Sequence, residues 1–234
     1  MAITEKSLLF LDENHRRNDR DWFAEHKGRY KELVETPMLA LAEALGPTVH
    51  GIDPTLETDP RRTLSRIWRD TRFSRDKTFF KKSVWLTFQR EKGLSHPVFF
   101  FEFNSDMHRY GCGYYATPAV IMAYMRDRIL EGDARFAKAR EALEALPQFS
   151  VEGDVYKRPK FPDHPQELRQ WLERKSVTAM RTSADRAALF AENLADVVAD
   201  AFEKLAPVYA FLTYCHVEAL KEQEFRTFIK GNGV

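Results

Sequence analysis

The hydrophobic period changes twice along this 234-residue chain, and those changes constrain the fold more than any other feature. The first fifty residues repeat at helical spacing. Leu8, Leu9 and Leu11 follow Thr4, which reads as a helix cap. Trp22, Phe23, His26, Tyr30, Leu33 and Val34 follow Asn18 or Asp19, either of which suits the cap of a second helix. Thr36-Pro37 reads as the N-cap and first position of a third helix, and Gly46-Pro47 as its end. Between His50 and Pro60 the glycine and prolines predict a loop. The pattern then becomes β-branched and aromatic. Strands are predicted at Val84–Phe88, Val98–Phe103 and Gly113–Ala116, with turns at Glu91–Leu94 and from Asn104, and a weaker strand at Leu64–Trp68. Such short separations favour antiparallel pairing. From Pro118 the helical period returns, with helices to Leu130, over Asp133–Leu146, around Leu168–Leu172, over Asp185–Leu205 and from Pro207 to Phe228. Short strands are expected at Val155–Lys157 and, as a sheet edge, at Val177–Met180. The expected class is α+β: one domain over residues 1–234, an antiparallel sheet of about four to six strands, helices packed around it.

A chain of this length buries a core large enough to fold without covalent staples. Its two cysteines, Cys112 and Cys215, make no CxxC pair, so neither a disulfide framework nor a structural zinc is expected, and a reducing, cytoplasmic setting is. No secretory leader is read at Met1–Leu11, and no apolar run approaches the ~18 residues of a membrane helix, so no membrane partner is expected.

Charge is concentrated in one place. Residues 61–92 hold eleven Lys and Arg against three acids, a net +8 in a chain whose total is +1. That excludes a globally basic, histone-like protein and singles out the segment. Within it Arg66, Arg69, Arg72 and Arg75 recur every third residue, interleaved with Asp70, Ser74, Asp76 and Lys77 and followed by Lys81. A helix would rotate successive arginines by ~60° and a strand would alternate them, so only a loop gathers all four. Guanidinium forks match phosphate and carboxylate. The expected site is therefore a phosphate or anion site built from Arg66, Arg69, Asp70, Arg72, Ser74, Asp76, Lys77 and Lys81. A second basic loop carries Lys157, Arg158, Lys160 and His164, and Lys157, Lys160 and His164 are expected to line the other wall of one cleft. The competing reading has Asp70 and Asp76 pair with the arginines as a structural network.

The run Arg69-Asp70-Thr71-Arg72-Phe73-Ser74-Arg75-Asp76-Lys77-Thr78 resembles the RDxRFSxDKT core of domain-of-unknown-function family 2461, a widespread microbial family. Asn18, Arg20, Trp22, Phe23 and Lys27 are similar to that family's NxRxWFxxxK pattern. Gly111, Gly113, Tyr114 and Pro118 resemble its glycine-containing segment before a helix. Lys157-Arg158-Pro159-Lys160, Asp163-His164-Pro165 and Lys175-Ser176 resemble its later basic–proline stretch. Departures are Phe79-Phe80-Lys81 where Pro-Tyr-Lys is frequent, Phe161-Pro162 where a Gly-aromatic pair is usual, and Arg17 in place of Asn. The resemblance spans nearly the whole chain and implies one domain; it brings no activity, cofactor or catalytic residue with it.

Weaker signals complete the reading. Gly111-Cys112-Gly113 is not a dinucleotide fingerprint and reads as a tight turn or a close backbone approach. Cys112 between two glycines is a candidate accessible thiol with His108 the nearest histidine, and a metal site would need the fold to join Asp106, His108, Asp163 and His164. Three functions are weighed. The first is a binding protein or enzyme for a phosphorylated ligand, a nucleotide or nucleic-acid end, with Asp70 or Asp76 available for proton transfer or metal. The second is a non-enzymatic protein-interaction or scaffold module in which the charged motif is a structural salt-bridge network. The third is a nucleic-acid binder stacking bases on Trp68, Phe73, Phe79 and Phe80. The first is preferred.

Overall fold

The computed structural model describes residues 2–72, 75–90 and 96–231. The described residues form helices and a five-stranded antiparallel sheet of order β1-β2-β3-β5-β4, the α+β class expected. The chain divides into two compact units: the described residues within Met1–Gln89, Phe99–Tyr110 and Thr182–Phe202, and those within Arg90–Val98, Gly111–Arg181 and Glu203–Val234.

In the first unit, α1 (Glu5–Arg17) starts where the Ser7 hydroxyl accepts the Thr4 N–H at 3.0 Å. It buries Leu8, Phe10 and Leu11 and ends on Asn18, whose left-handed φ of 51° reverses the chain. Asp19 then caps α2 (Arg20–Tyr30), its Oδ1 accepting the Asp21 and Trp22 N–H groups at 2.8 and 3.1 Å. Thr36 is no cap. A π-turn over Lys31–Glu35 carries α2 directly into α3 (Thr36–Ile52), with the Thr36 N–H reaching back to the Lys31 carbonyl. The cause is Pro37, whose ring would collide with the Leu33 carbonyl in a regular helix; the wider turn relieves that clash. Nor does Gly46-Pro47 end the helix. Leu45 and Val49 on either side are completely buried, and their packing outweighs the single backbone bond that Pro47 forfeits. After the single turn α4 (Pro60–Thr63), the expected strand at Leu64–Trp68 reduces to two isolated bridges, Leu64 with Leu86 and Trp68 with Phe80.

Strands β1 (Val84–Phe88) and β2 (Val98–Phe103) lie as read from the sequence. Val84, Leu86 and Phe88 pair with Phe103, Phe101 and Phe99, all six fully buried on one face. The turn expected at Glu91–Leu94 lies outside the described residues. β3 runs over His108–Gly113, not Gly113–Ala116. Asn104 sets this: its Oδ1 accepts the Asp106 and Met107 N–H groups at 2.7 and 3.0 Å, and the tight turn returns the chain at once.

In the second unit, α5 (Ala119–Leu130) follows Pro118, and α6 (Ala134–Glu144) is capped by Asp133. β4 (Ser150–Glu152), unforeseen in sequence, pairs with β5 (Thr178–Ser183), so β5 is an inner strand and β4 the edge. The strand expected at Val155–Lys157 is a single bridge from Val155 to Arg174, and α7 (Gln166–Leu172) buries Trp171 and Leu172. Gly111 is glycine because a Cβ there would come within 2.1 Å of the Ala179 carbonyl, the close backbone approach expected of it. The long helix expected over Asp185–Leu205 is instead α8 (Arg186–Phe190), a break at the extended Ala191, and α9 (Leu194–Gly231), of which α8 and the start of α9 up to Phe202 belong to the first unit. α9 passes straight through Pro207, whose followers Val208, Phe211, Leu212 and Cys215 are all fully buried.

Candidate functional site

Within the segment that concentrates positive charge, the described residues of 66–82 pair as the two arms of an irregular hairpin. The Arg69 N–H donates to the Phe79 carbonyl at 2.8 Å and the Lys81 N–H to the Ile67 carbonyl at 2.9 Å, bracketing the Trp68–Phe80 bridge. Beneath it, the fully buried Phe80 meets Trp68 and Phe23 at ring separations of 4.5 and 4.9 Å. This aromatic cluster fixes the base of the loop, and the acidic residues shape its interior. Asp70 accepts the Arg72 N–H at 3.1 Å and Asp76 the Thr78 N–H at 2.9 Å, two local turns of the kind that Asp side chains form with backbone two residues on.

The ion pairs follow from that folding. Arg72 closes a two-pronged fork on Asp70 at 3.0 and 2.7 Å, with side chains 78% and 59% exposed. Arg69 reaches Asp76 at 2.6 Å and the Thr78 hydroxyl at 3.3 Å. Lys77 donates to the Thr71 carbonyl at 2.8 Å. The Arg72 hydrogen bonds hold the Asp70 carboxyl down to about 2, and the Thr78 amide, the Thr78 hydroxyl and the Arg69 and His15 charges hold Asp76 below the usual carboxylate range. Both acids are thus firmly ionised and weakly basic, which removes them as proton donors near neutral pH.

Lys81 differs. It is half-buried, its ammonium donates to the Arg66 carbonyl at 2.8 Å and sits 4.2 Å over the Trp85 ring. Burial lowers its pKa, and the Arg66 and Arg69 charges lower it further. Among the described residues no carboxylate pairs with Arg66, Arg75 or Lys81. The loop therefore carries positive charge that its own acids leave uncompensated. Ser74 lies outside the described residues.

The corner between α1 and α2 meets this loop, which reasoning along the sequence did not foresee. The Asn18 Oδ1 accepts the Phe79 N–H at 2.6 Å, the Arg20 guanidinium lies 4.1 Å above the Phe79 ring, and the His15 imidazole donates to the Phe80 carbonyl at 3.3 Å. The only sequence signal was that Asn18 and Arg20 belong to the NxRxWFxxxK pattern, 61 residues from the partner of Asn18.

Lys157, Lys160 and His164 stand in the second unit. Their loop is pinned by Glu173, which accepts the Lys160 N–H at 2.9 Å and the Phe161 N–H at 2.8 Å. Burial raises the Glu173 carboxyl, but those two amides and the Arg169 and Arg126 charges outweigh it and leave it below its ordinary value. The Lys160 ammonium covers the Tyr156 ring at 3.9 Å, Lys157 is exposed, and the half-buried His164 closes a turn to Phe161. Arg126 joins the cluster by donating to the Tyr156 hydroxyl at 3.1 Å and to the Arg174 carbonyl at 2.6 Å.

Cys112 is not an accessible thiol. It is fully buried on β3, directs Sγ–H toward the Leu205 carbonyl, and burial pushes its pKa far up. His108 is buried as well, at 2% exposure. Among the described residues no three His, Cys, Asp or Glu side chains gather as a metal cluster, and no helix is long and apolar enough to cross a membrane. No curated protein matches the chain. The family model described as "Conserved hypothetical protein (DUF2461)" matches residues 6–211, which takes in the α1–α2 corner, the charged hairpin and the Lys157–His164 loop, and the chain belongs to that family.

Proposed function

We propose that the hairpin from Arg66 to Lys82 binds a phosphorylated ligand. The observation that carries this reading is the cation group Arg66, Arg69 and Lys81. A half-buried ammonium with two guanidinium charges beside it and only a neutral carbonyl as acceptor is an arrangement that an anion relieves. Arg72 and Lys77 add exposed donors at the rim, and Asp70 and Asp76 keep the loop in shape. Arg20, set over Phe79, brings a further cation to the same surface. The claim is one of binding; it assigns no proton transfer to the two loop carboxylates, which are held ionised.

A second reading has an observation of its own. The Arg72–Asp70 fork and the Arg69–Asp76 pair satisfy two of the four arginines internally, which suits a structural network in a scaffold or interaction module. Exposed ion pairs contribute little to stability, however, so such a network gives a fold little reason to gather so many cations here.

Titration calorimetry with pyrophosphate separates the two. The binding reading expects Lys81→Gln to weaken affinity about ten- to hundredfold, since a hydrogen bond to a charged group is worth roughly 1.5–3 kcal/mol. It also expects binding to weaken as salt rises. The scaffold reading expects no heat from pyrophosphate or a nucleotide panel, and a large fall in melting temperature for Arg69→Ala. That pair of results would remove the binding proposal.

A further inference from the structure

Four aromatic residues are interleaved with the cations of the hairpin, and the structure separates them. Phe80 is completely buried, Phe79 has the Arg20 guanidinium over its ring, and Phe73 lies outside the described residues. Trp68 alone of the described three presents a large free surface, with 42% of the residue exposed. It is also held rigidly. Phe80 supports the indole at 4.5 Å, Phe23 meets it edge-on at 5.3 Å, and the two backbone hydrogen bonds on either side of the Trp68–Phe80 bridge set its position. An aromatic plane immobilised in advance loses little freedom when something stacks on it.

Its neighbours supply the second half of the argument. Arg66 and Arg69 lie two residues before and one residue after Trp68, and Lys81 directly follows Phe80, the residue across the bridge. The cations assigned above to phosphate thus arise around the exposed indole. A bare inorganic phosphate has no use for that indole; a ligand that joins phosphate to a flat ring uses both. Resting on the phosphate-binding reading, we infer that the ligand of this hairpin is a nucleotide unit, with phosphate on Arg66, Arg69 and Lys81 and its base stacked on Trp68. Every base has a π-face, so stacking of this kind discriminates weakly among bases.

The test compares ligands that differ only in the base. Wild type is titrated with pyrophosphate, ribose 5-phosphate, adenosine 5′-phosphate and a short 5′-phosphorylated oligonucleotide, and so are Trp68→Leu and Trp68→Phe. Adenosine 5′-phosphate is expected to bind wild type more tightly than ribose 5-phosphate. Trp68→Leu should weaken the two base-containing ligands about five- to 150-fold more than it weakens pyrophosphate and ribose 5-phosphate, whose loss reports only the loosened base of the loop. Trp68→Phe, which keeps a π-face, should restore most of the loss. Tighter binding of the oligonucleotide than of the free nucleotide identifies a strand end as the source; the reverse identifies the free nucleotide. If pyrophosphate binds but wild type does not distinguish adenosine 5′-phosphate from ribose 5-phosphate, stacking is overturned and the phosphate site stands. That comparison needs no variant, so it decides the matter even if Trp68→Leu does not fold. If no phosphate compound binds, both readings fall together.

Discussion

Asn18 joins the α1–α2 corner to the charged hairpin, and its replacement tests whether that junction builds the site. Two separate features depend on it. Its backbone adopts a left-handed φ of 51°, which costs roughly 1–2 kcal/mol for a residue with an ordinary Cβ and nothing for glycine. Its Oδ1 also accepts the Phe79 N–H at 2.6 Å, and leaving that part-buried donor without a partner costs about 1–3 kcal/mol. Asn18→Ala loses both, so about 2–5 kcal/mol is expected; Asn18→Gly loses only the hydrogen bond and should sit near 1–3 kcal/mol. For a chain of this size each kcal/mol shifts the melting temperature by about 2–4 °C, so the alanine variant should melt about 4–20 °C lower and the glycine variant visibly less. Thermal unfolding followed by circular dichroism reads both, and pyrophosphate titration reads the loop. Both variants should lose affinity because each frees the Phe79 end of the hairpin. Equal melting temperatures for alanine and glycine would refute the dihedral argument. Unchanged pyrophosphate affinity in two destabilised variants would refute the claim that the corner positions the site.

Phe80→Ala removes a completely buried ring beneath the loop and should cost about 3–5 kcal/mol in urea unfolding, with pyrophosphate affinity falling alongside. Arg72→Ala strands no buried charge, because Arg72 is 78% exposed and Asp70 59%; melting should barely change while pyrophosphate binding weakens. The folded Asp70 carboxyl lies at about 2, below its unfolded value, so the Arg72–Asp70 contribution is present above pH ~4 and fades as pH falls through about 2; carboxyl NMR titration should show the low midpoint, and Arg72→Ala should raise it. His216, buried with its ring centre 3.9 Å from that of His96 and its Nδ1 3.1 Å from the Tyr114 hydroxyl, is pushed down to about 4 by burial, by His96 and by Arg90. The unfolded chain therefore takes up the extra proton first. Stability should drop as pH falls from about 6.5 to about 4, and His216→Asn should flatten that slope in melting curves.

What the sequence determined by itself were the features that local chemistry controls. The period of two in Val84–Phe88 and Val98–Phe103 places six apolar side chains on one face, and no other element accommodates that pattern. Asp19 and Asp133 mark helix starts because their carboxylates satisfy amides two or three residues on, within reach of the local chain. The basic loop was legible as a charge excess and as a family motif for the same reason. Tertiary structure decided what local signals contradicted or omitted. Pro37 and Pro47 read as helix boundaries, yet the buried faces of α2 and α3 hold one helical path through both, by a π-turn at the first and by core packing at the second. Pro207 is overridden in the same way inside α9. Gly111-Cys112-Gly113 read as a tight turn or a close backbone approach; the second holds, and the partner that makes both glycines necessary, the backbone of β5, is 65 or more residues away along the chain. In the site, composition could count the arginines but not pair them. That Arg69 takes Asp76, that Arg72 takes Asp70, and that Lys81 is left among cations follows from a hairpin anchored on Phe80 and on Asn18. Charges separated along the chain interact through space, and only the packing of the aromatic base beneath them sets those distances.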